Sequence, residues 1–283
     1  MLALIASLGP LVLDVTIAPE GQLRLDDDRD ASIEIGGGGQ AANFCAWCVA
    51  LGEPARLITK VGRDALGRRL VEELQESGVE VCAAHGGEPT GAIAVLLGPE
   101  GERTFARQSG ASLQLTEDDL QEGWLERVDL LHLPAYSLFK EPIAGAARKA
   151  VATLRSRNAK AILSVDLSSA ADIEQFGGAR FALELTMLRP ELLFASEREA
   201  AALQAPLEGI AKVPVIKRGA NGARIFERNI PAHRVALQDA TGAGDAFAAA
   251  FCSAYLDGAS PLEAAGRAVL VGAQAVERKG ARP

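Results

Sequence analysis

Residues 239–245 read Asp-Ala-Thr-Gly-Ala-Gly-Asp, and the rest of the chain can be organised around them. The next stretch, residues 246–256, carries no charged side chain, which predicts a helix buried on all sides. Such a helix holds its free N–H groups and the positive end of its dipole at one fixed point. Gly242 and Gly244 let an anion approach those amides closely. Residues 233–237, just before the motif, read as a short strand.

Asp245 adds a carboxylate beside this predicted anion site. A site that only holds phosphate gains nothing from a negative charge. Phosphoryl transfer to a hydroxyl, in contrast, needs a base for the proton and amides for the developing charge. The alternative is that the two glycines shape a turn and that Asp245 caps the helix. The preceding strand, the buried helix and a second glycine-rich segment favour phosphoryl transfer.

The composition is that of a globular enzyme. The 283 residues are 48% hydrophobic and 23% charged, which is enough for one large α/β domain. A net charge of −8 without any basic run argues against a nucleic-acid partner. Residues 1–13 contain no Lys or Arg and include Gly9-Pro10, so a first strand fits them better than a signal peptide. No apolar stretch reaches membrane-spanning length, and we expect a cytoplasmic protein without a membrane partner.

Cys45 and Cys48 form a C-x-x-C pair, a pattern that also occurs in redox and zinc sites. A zinc site needs four ligands, and no second Cys or His pair stands at a suitable spacing. Residues 40–51 read as a buried helix, in which cysteines three positions apart simply pack. We therefore predict a packing role for both cysteines.

A run of four glycines, residues 36–39, precedes that helix. It predicts either a backbone that approaches a ligand closely or a flexible turn. The side-chain amide of Asn43, one turn into the helix, can hold sugar hydroxyls or serve in the core or as a cap. Asp14 interrupts the apolar run 11–17, so it lies on an exposed face or reaches for a ligand's hydroxyls.

Two β-rich, polar segments, residues 11–35 and 90–109, are predicted to form one small projecting sheet. From about residue 115, strands and helices alternate, which predicts a mainly parallel sheet covered on both faces. Before this region, Asp64 is predicted to cap a helix that runs to Ser77. The predicted helices after residue 115 start at Thr116, at 141 and at two capping boxes, Ser196 to Glu199 and Ser260 to Glu263. The predicted strands are 130–133, 161–167, 191–195, 213–216 and 223–227. Ligands bind such sheets at the carboxyl ends of their strands.

Two segments together resemble the signatures of the ribokinase-like (PfkB) carbohydrate kinases. The first is Gly38-Gly39-x-x-x-Asn43, continuing through Leu51-Gly52 to Val61-Gly62-x-Asp64-x-x-Gly67. The second is residues 239–247, and Gly101-Glu102-Arg103-Thr104 on the predicted hairpin also fits. The resemblance implies a single domain over residues 1–283. Its fold would be a three-layer α/β/α sandwich with a mainly parallel central sheet and a small β lid formed by about 11–35 and 90–109.

The resemblance also implies ATP-dependent phosphorylation of a hydroxyl, usually a hydroxymethyl group of a sugar or nucleoside. It gives Asp245 the role of general base. The implied anion hole consists of Gly242, Ala243 and Gly244. The implied substrate-binding residues are Asp14, Gly38, Gly39, Asn43 and Arg103. The implied nucleotide-binding residues are Lys217, Gly219, Gly222, Ser196 and Thr241. Glu199 would act on Mg²⁺ through water.

Some positions depart from the family pattern. Ser196 stands where the family often has Asn, and residues 166–168 read Asp-Leu-Ser instead of Asp-x-Asn. Members often use a monovalent cation such as K⁺ near the second signature, which we carry over as an expectation. The alternatives are a nucleoside kinase or a non-catalytic sugar or nucleotide sensor. With 5% aromatic residues, the sequence favours a sugar. An exposed lid edge predicts a homodimer.

Overall fold

The computed structural model describes residues 2–23, 26, 28–98 and 103–283. Among these residues, thirteen strands form two sheets, and eight α-helices pack on the larger sheet. The strands are β1 Leu4–Leu8, β2 Val12–Pro19, β3 Ala31–Gly38, β4 Ala55–Gly62, β5 Glu80–Gly86, β6 Thr90–Leu97, β7 Arg103–Gly110, β8 Val128–Pro134, β9 Ile162–Asp166, β10 Leu192–Ser196, β11 Val213–Lys217, β12 Ala223–Ile225 and β13 Arg228–Ile230. The helices are α1 Gln40–Ala50, α2 Ala65–Glu76, α3 Ile143–Arg157, α4 Ala170–Phe176, α5 Gly178–Leu188, α6 Glu197–Leu203, α7 Ala243–Leu256 and α8 Pro261–Ala275.

The larger sheet has the strand order β13-β12-β11-β10-β9-β8-β1-β4-β5. It is parallel from β11 to β5, and the short strands β12 and β13 add an antiparallel edge. Side chains alternate between its two faces, so one core packs against α1, α2, α7 and α8 and the other against α3, α4, α5 and α6. This arrangement confirms the predicted three-layer α/β/α class.

The smaller sheet has the order β3-β2-β6-β7. Its central pair, β2 and β6, is parallel, and the outer pairs are antiparallel. The chain leaves the larger sheet at Gly9-Pro10 and returns to it through α1, so this sheet projects from the carboxyl edge of the larger one. The two β-rich segments therefore do form one sheet, as the sequence predicts.

Several local predictions are confirmed by the caps. Asp64 caps α2 by accepting a hydrogen bond from the Gly67 N–H at 2.7 Å. Ser196 and Ser260 both form complete capping boxes at the starts of α6 and α8. The three cysteines on α1 and α7, Cys45, Cys48 and Cys252, are buried and unbonded to one another, which fits the predicted packing role.

Other local predictions are wrong. Residues 233–237 form no strand. β13 ends at Ile230, and Pro231, which follows it, has no N–H to continue a ladder. Thr116 starts only a 3₁₀ turn, closed by its own capping box with Asp119. The sequence also gave no signal for the edge strand β5 or for the helices α4 and α5.

Candidate active site

A cleft of about 780 Å³ lies between the smaller sheet and the carboxyl edge of the larger sheet. It is lined by the starts of α1 and α7, by the ends of β9 and β11, and by side chains of β2, β6 and β7. Both glycine-rich segments predicted from the sequence therefore open into one space. This location agrees with the general rule for open parallel sheets.

Each of three glycines before α1 is needed for a different contact. A Cβ on Gly38 would lie 1.9 Å from Oδ2 of Asp14, so the bare backbone makes room for that carboxylate. Gly39 has a φ of 98°, and a Cβ there would lie 2.3 Å from the carbonyl oxygen of Pro10. A Cβ on Gly37 would lie 2.4 Å from Nη1 of Arg282. The run is thus a close-packed junction and not a flexible turn.

Asp245 lies in the first turn of α7, at the bottom of the cleft, and is 9% exposed. The side-chain amide of Asn43 donates from Nδ2 to Oδ2 of Asp245 at 3.2 Å. Burial, together with the negative charge of Asp166, raises the pKa of Asp245 from 3.8 to about 7. The charge of Lys217 and the side-chain amides of Asn43 and Gln40 act in the opposite direction. A carboxyl group with this pKa is poised to accept a proton near neutral pH.

The loop before α7 presents its backbone to the cleft. Gly242 caps α7 with a φ of 75°, and a Cβ there would lie 2.2 Å from the Ala281 carbonyl oxygen. A Cβ on Gly244 would lie 3.4 Å from Nζ of Lys217, so the ammonium group stands beside the amides at the helix start. Asp239 braces this loop by accepting from the N–H and the hydroxyl of Thr241 at 2.9 and 2.7 Å. Amides, dipole and ammonium together make a candidate anion site.

Lys217, at the end of β11, is ion-paired with the fully buried Asp166 at the end of β9. Burial opposes the charge of Lys217, but the nearby carboxylates of Asp166, Glu199 and Asp245 outweigh it and raise the pKa of the lysine. Burial and the charge of Asp166 raise the pKa of Glu199, whose Oε2 also accepts the Ser196 N–H at 2.7 Å. One cation is thus surrounded by three acids in the part of the cleft that borders the anion site.

Comparison with known proteins identifies the family. The sequence pattern of the pfkB family carbohydrate kinases matches residues 2–283. The chain belongs to this family. It is 29% identical to the 2-dehydro-3-deoxygluconokinase of Thermoproteus tenax over 99% of this chain and 90% of that protein. It is 27% identical to mouse ribokinase over 87% of this chain and 80% of that protein.

A candidate ribokinase II from E. coli, solved with ATP and Mg²⁺, has the same fold. The TM-score is 0.85 at 24% identity, covering 99% of this chain and 94% of that one. The protein is accordingly a carbohydrate kinase of the pfkB family with a ribokinase-like fold. Across the described ranges, no helix of this pfkB kinase combines the length and apolar character that a membrane crossing requires.

Most of the residues predicted for the kinase site come together. The cleft is lined by Asp14, Gly39, Asn43, Glu199, Lys217, Thr241, Gly242, Gly244 and Asp245. Gly38 lies directly behind Asp14, Ala243 is the first residue of α7, and Ser196 caps the neighbouring α6. Gly219 and Gly222 lie outside this lining, and Gly222 packs on the carbonyl of Ile230 with a φ of 83°. The side chain of Arg103 and residues 99–102 are outside the described part of the structure.

Sequence reasoning missed three polar residues in or beside the candidate site. Gln40 lines the cleft beside Asp245, and its Oε1 is buried without a hydrogen-bond partner. Arg107 on β7 pairs with Asp172 on α4 at 2.5 and 3.1 Å, which joins the small sheet to the body. Arg282 reaches Asn43 from the far end of the chain. Gln40 follows the glycine run directly, a detectable signal, but the other two contacts span 65 and 239 residues.

Proposed function

We propose that this kinase transfers the γ-phosphoryl group of ATP to a hydroxymethyl group of a sugar or sugar acid, with Asp245 as the general base. The observation that supports it is the position of that carboxylate. It stands at the amide-rich start of a buried helix, has a pKa of about 7, and shares one cleft with Asp14 and Asn43. An acid there serves proton abstraction, not phosphate binding.

In the proposed reaction, the substrate hydroxyl loses its proton to Asp245 as its oxygen attacks the γ-phosphorus of ATP. The bond between that phosphorus and the β–γ bridging oxygen breaks, and ADP leaves. The amides of Gly242, Ala243 and Gly244 and the ammonium of Lys217 stabilise the charge on the transferring group. The Lys217 ammonium already stands beside Gly244, so we assign it to the transferring phosphoryl group and not to the rest of the nucleotide.

Mg²⁺ is the expected cofactor. The described residues contain no cluster of three or more His, Cys, Asp or Glu side chains, which fits an ion held by one or two carboxylates together with water and substrate phosphates. The carboxylate of Glu199 lines the cleft and would hold the ion, directly or through water. When bound, the ion neutralises phosphate charge. Ser196 caps the helix that carries Glu199 and keeps one of its oxygens occupied, so it orients the acid. The monovalent cation near Asp239 stays a prediction.

The smaller sheet is proposed to be the lid. Its inner face places Ile93, Val95 and Phe105 over the cleft, where they would exclude water from the transfer. Phe105 is 60% exposed, a large apolar surface with no protein cover, which a bound substrate would bury.

A sugar is favoured over a nucleoside by the state of the other aromatic rings at the cleft. Tyr136 lies under the Arg107 guanidinium at 5.6 Å, and Phe139 packs against Phe176 and Phe181 at 5.7 and 4.8 Å. These rings are engaged by the protein, so they do not provide a free platform for a base. Hydrogen-bonding groups such as Asp14 and Gln40 dominate the deeper part of the cleft.

The proposal is tested by Asp245→Asn assayed for ATP consumption against a panel of sugars, sugar acids and nucleosides. We expect turnover by the parent, a loss of several orders of magnitude in the variant, and unchanged thermal stabilisation by ATP. Asp257→Asn, at the opposite end of α7, is the matched control and should retain activity. Turnover retained in Asp245→Asn would refute the base, and ligand stabilisation without turnover by the parent would favour a sensor.

We also propose that a second copy covers the outer face of the small sheet. Val15 and Ile17 on β2 face their partners Ile35 and Ile33 on β3, on the side opposite Asp14. Ile33 and Ile35 are 57% and 58% exposed, an apolar pair on an edge strand. Sedimentation of the parent and of Ile33→Lys is the test. A parent that is monomeric at micromolar concentration would contradict the proposal.

A further inference from the structure

The segment formed by residues 279–282 is held against the candidate site at several points. Lys279 pairs with Glu34 on β3 at 3.1 Å, and the Gly280 N–H donates to Asp239 at 3.1 Å. The indole N–H of Trp47 on α1 donates to the carbonyl oxygen of Ala281 at 3.0 Å. The segment thus contacts β3, the loop before α7 and α1, and it places Arg282 where these three elements meet.

The guanidinium of Arg282 is partly buried, near the Asp14 carboxylate and among backbone and amide acceptors. Its Nε donates to Oδ1 of Asn43 at 3.2 Å, and its Nη2 donates to the Gly38 carbonyl at 3.1 Å. The absent side chain of Gly37 leaves the space that Nη1 occupies. Arg282 does not line the cleft, so it acts on the site through these partners. A buried charge is retained in this way only when its hydrogen bonds are satisfied.

These contacts determine which way the Asn43 amide points. A guanidinium has donors only, so the Asn43 atom that faces Arg282 must be the oxygen. The amide nitrogen is then turned toward Asp245, whose ionised carboxylate has acceptors only, and the Nδ2 to Oδ2 distance is 3.2 Å. The opposite orientation would place an amide oxygen against the carboxylate and an amide nitrogen against the guanidinium. Both contacts would be repulsive.

We propose that Arg282 is a positioning residue for the general base: it locks the Asn43 amide so that its N–H group is directed at Asp245. The inference rests on the proposed function, because it assigns a role in setting the base. It also explains why Gly37, Gly38 and Asn43 stand together in the sequence. The first makes room for the guanidinium, and the other two accept its hydrogen bonds.

The groups that face Asp245 allow this role to be measured. Gln40 and Asn43 from α1 and Lys217 from β11 favour its ionised form, whereas Asp166 from β9 disfavours it. Arg282→Gln leaves the Asn43 amide free to turn. We therefore expect the variant to lose part of the stabilisation of the ionised base, and the acid limb of kcat/KM to move to higher pH. Burial raises the pKa of Asp14 to about 6 and Arg282 opposes that shift, so the unfolding titration described below is the measurement that assigns the change to Asp245.

The experiment uses the Trp124→Phe background, in which Trp47 is the single tryptophan of the chain. Emission from Trp47 reports docking of the segment through its bond to Ala281. For Arg282→Gln we expect kcat/KM to fall roughly tenfold, because about one charge-assisted hydrogen bond is lost. The emission of Trp47 should stay unchanged. Arg282→Lys should recover part of the activity, and Lys279→Gln, the matched control in the same segment, should behave like the parent.

Two results would overturn the inference. One is an acid limb that stays in place in Arg282→Gln, and the other is a red-shifted Trp47 emission, which would make the arginine an anchor for the segment only. In addition, Arg282→Gln and Asn43→Ala should not be additive, because both act through one amide. Additive losses of kcat/KM would also contradict the positioning role of Arg282.

The titration can be followed without turnover, which separates this inference from the proposed function. The pH dependence of unfolding in a pair of proteins with and without Asp245→Asn reports the pKa of Asp245 directly. We expect this transition to lie at higher pH in the Arg282→Gln background. If the parent fails to phosphorylate any substrate, the proposed function fails. An unmoved transition, in contrast, overturns the role of Arg282.

Discussion

Asp245→Asn is expected to stabilise the protein much more at pH 8 than at pH 5. The pKa of Asp245 is raised, mainly by burial, from 3.8 in the unfolded chain to about 7 in the fold. Between these values the folded state keeps a proton that the unfolded state has lost. Stability therefore falls as pH rises through this window and is constant above it. Above this window the ionised carboxylate destabilises the fold, and the neutral amide of Asn removes that destabilisation.

The magnitude follows from the window. Each pH unit between pH 5 and pH 7 removes about 1.4 kcal/mol from the free energy of unfolding. The stabilisation by Asp245→Asn should thus be larger at pH 8 than at pH 5 by about 3 kcal/mol. Only 9% of Asp245 is exposed, so solvent screening reduces this figure little.

The assay is urea unfolding of parent and variant, followed by circular dichroism at both pH values. Asp64→Asn is the control. Burial alone would raise the pKa of Asp64, but hydrogen bonds from Thr90 and Gly67 outweigh it and lower the pKa. Its stabilising contribution is fully present above its unfolded value, so its loss should cost the same at pH 5 and pH 8. An equal effect of Asp245→Asn at the two pH values would refute the reasoning.

Three further predictions concern catalysis and the lid. The kcat/KM of the parent should fall about tenfold per pH unit below pH 7, because the base must be ionised; a flat profile down to pH 5 would contradict the assignment. Gln40→Leu should raise the KM for the sugar roughly tenfold with little change in the KM for ATP, because the unpartnered Oε1 can accept a hydrogen bond from a substrate hydroxyl. Equal changes in the two KM values would count against this role. Arg107→Ala should open the lid by removing its pair with Asp172, which faster hydrogen exchange in β6 and β7 would show, and unchanged exchange would disprove the latch.

The sequence was sufficient for the parts of the site that depend on local chemistry. The buried helix after Asp245, the caps at Asp64 and Ser196, and the close approach at Gly39 follow from spacing, charge and backbone freedom. The kinase family and its fold could be predicted from the two signatures, and both are confirmed.

What could not be predicted depends on long-range packing. The Lys217 to Asp166 pair links strand ends 51 residues apart, and the Arg282 to Asn43 contact spans 239 residues. Neither pattern is visible without the strand order. Residues 233–237 show the converse case, a local pattern without a tertiary partner. They have strand-like composition, but no neighbouring strand is available, and Leu237 is 70% exposed.

The smaller sheet and the buried end of α1 are joined by a single residue. β3 ends at Gly38, α1 begins at Gln40, and Gly39 between them is wedged against Pro10. Asp14 lies on β2 of the same sheet, so a swing of the sheet would carry its carboxylate along. If the sheet is the lid and Asp14 holds the substrate, as we propose, gripping the sugar and shutting the cleft would be one movement, driven by the same binding energy.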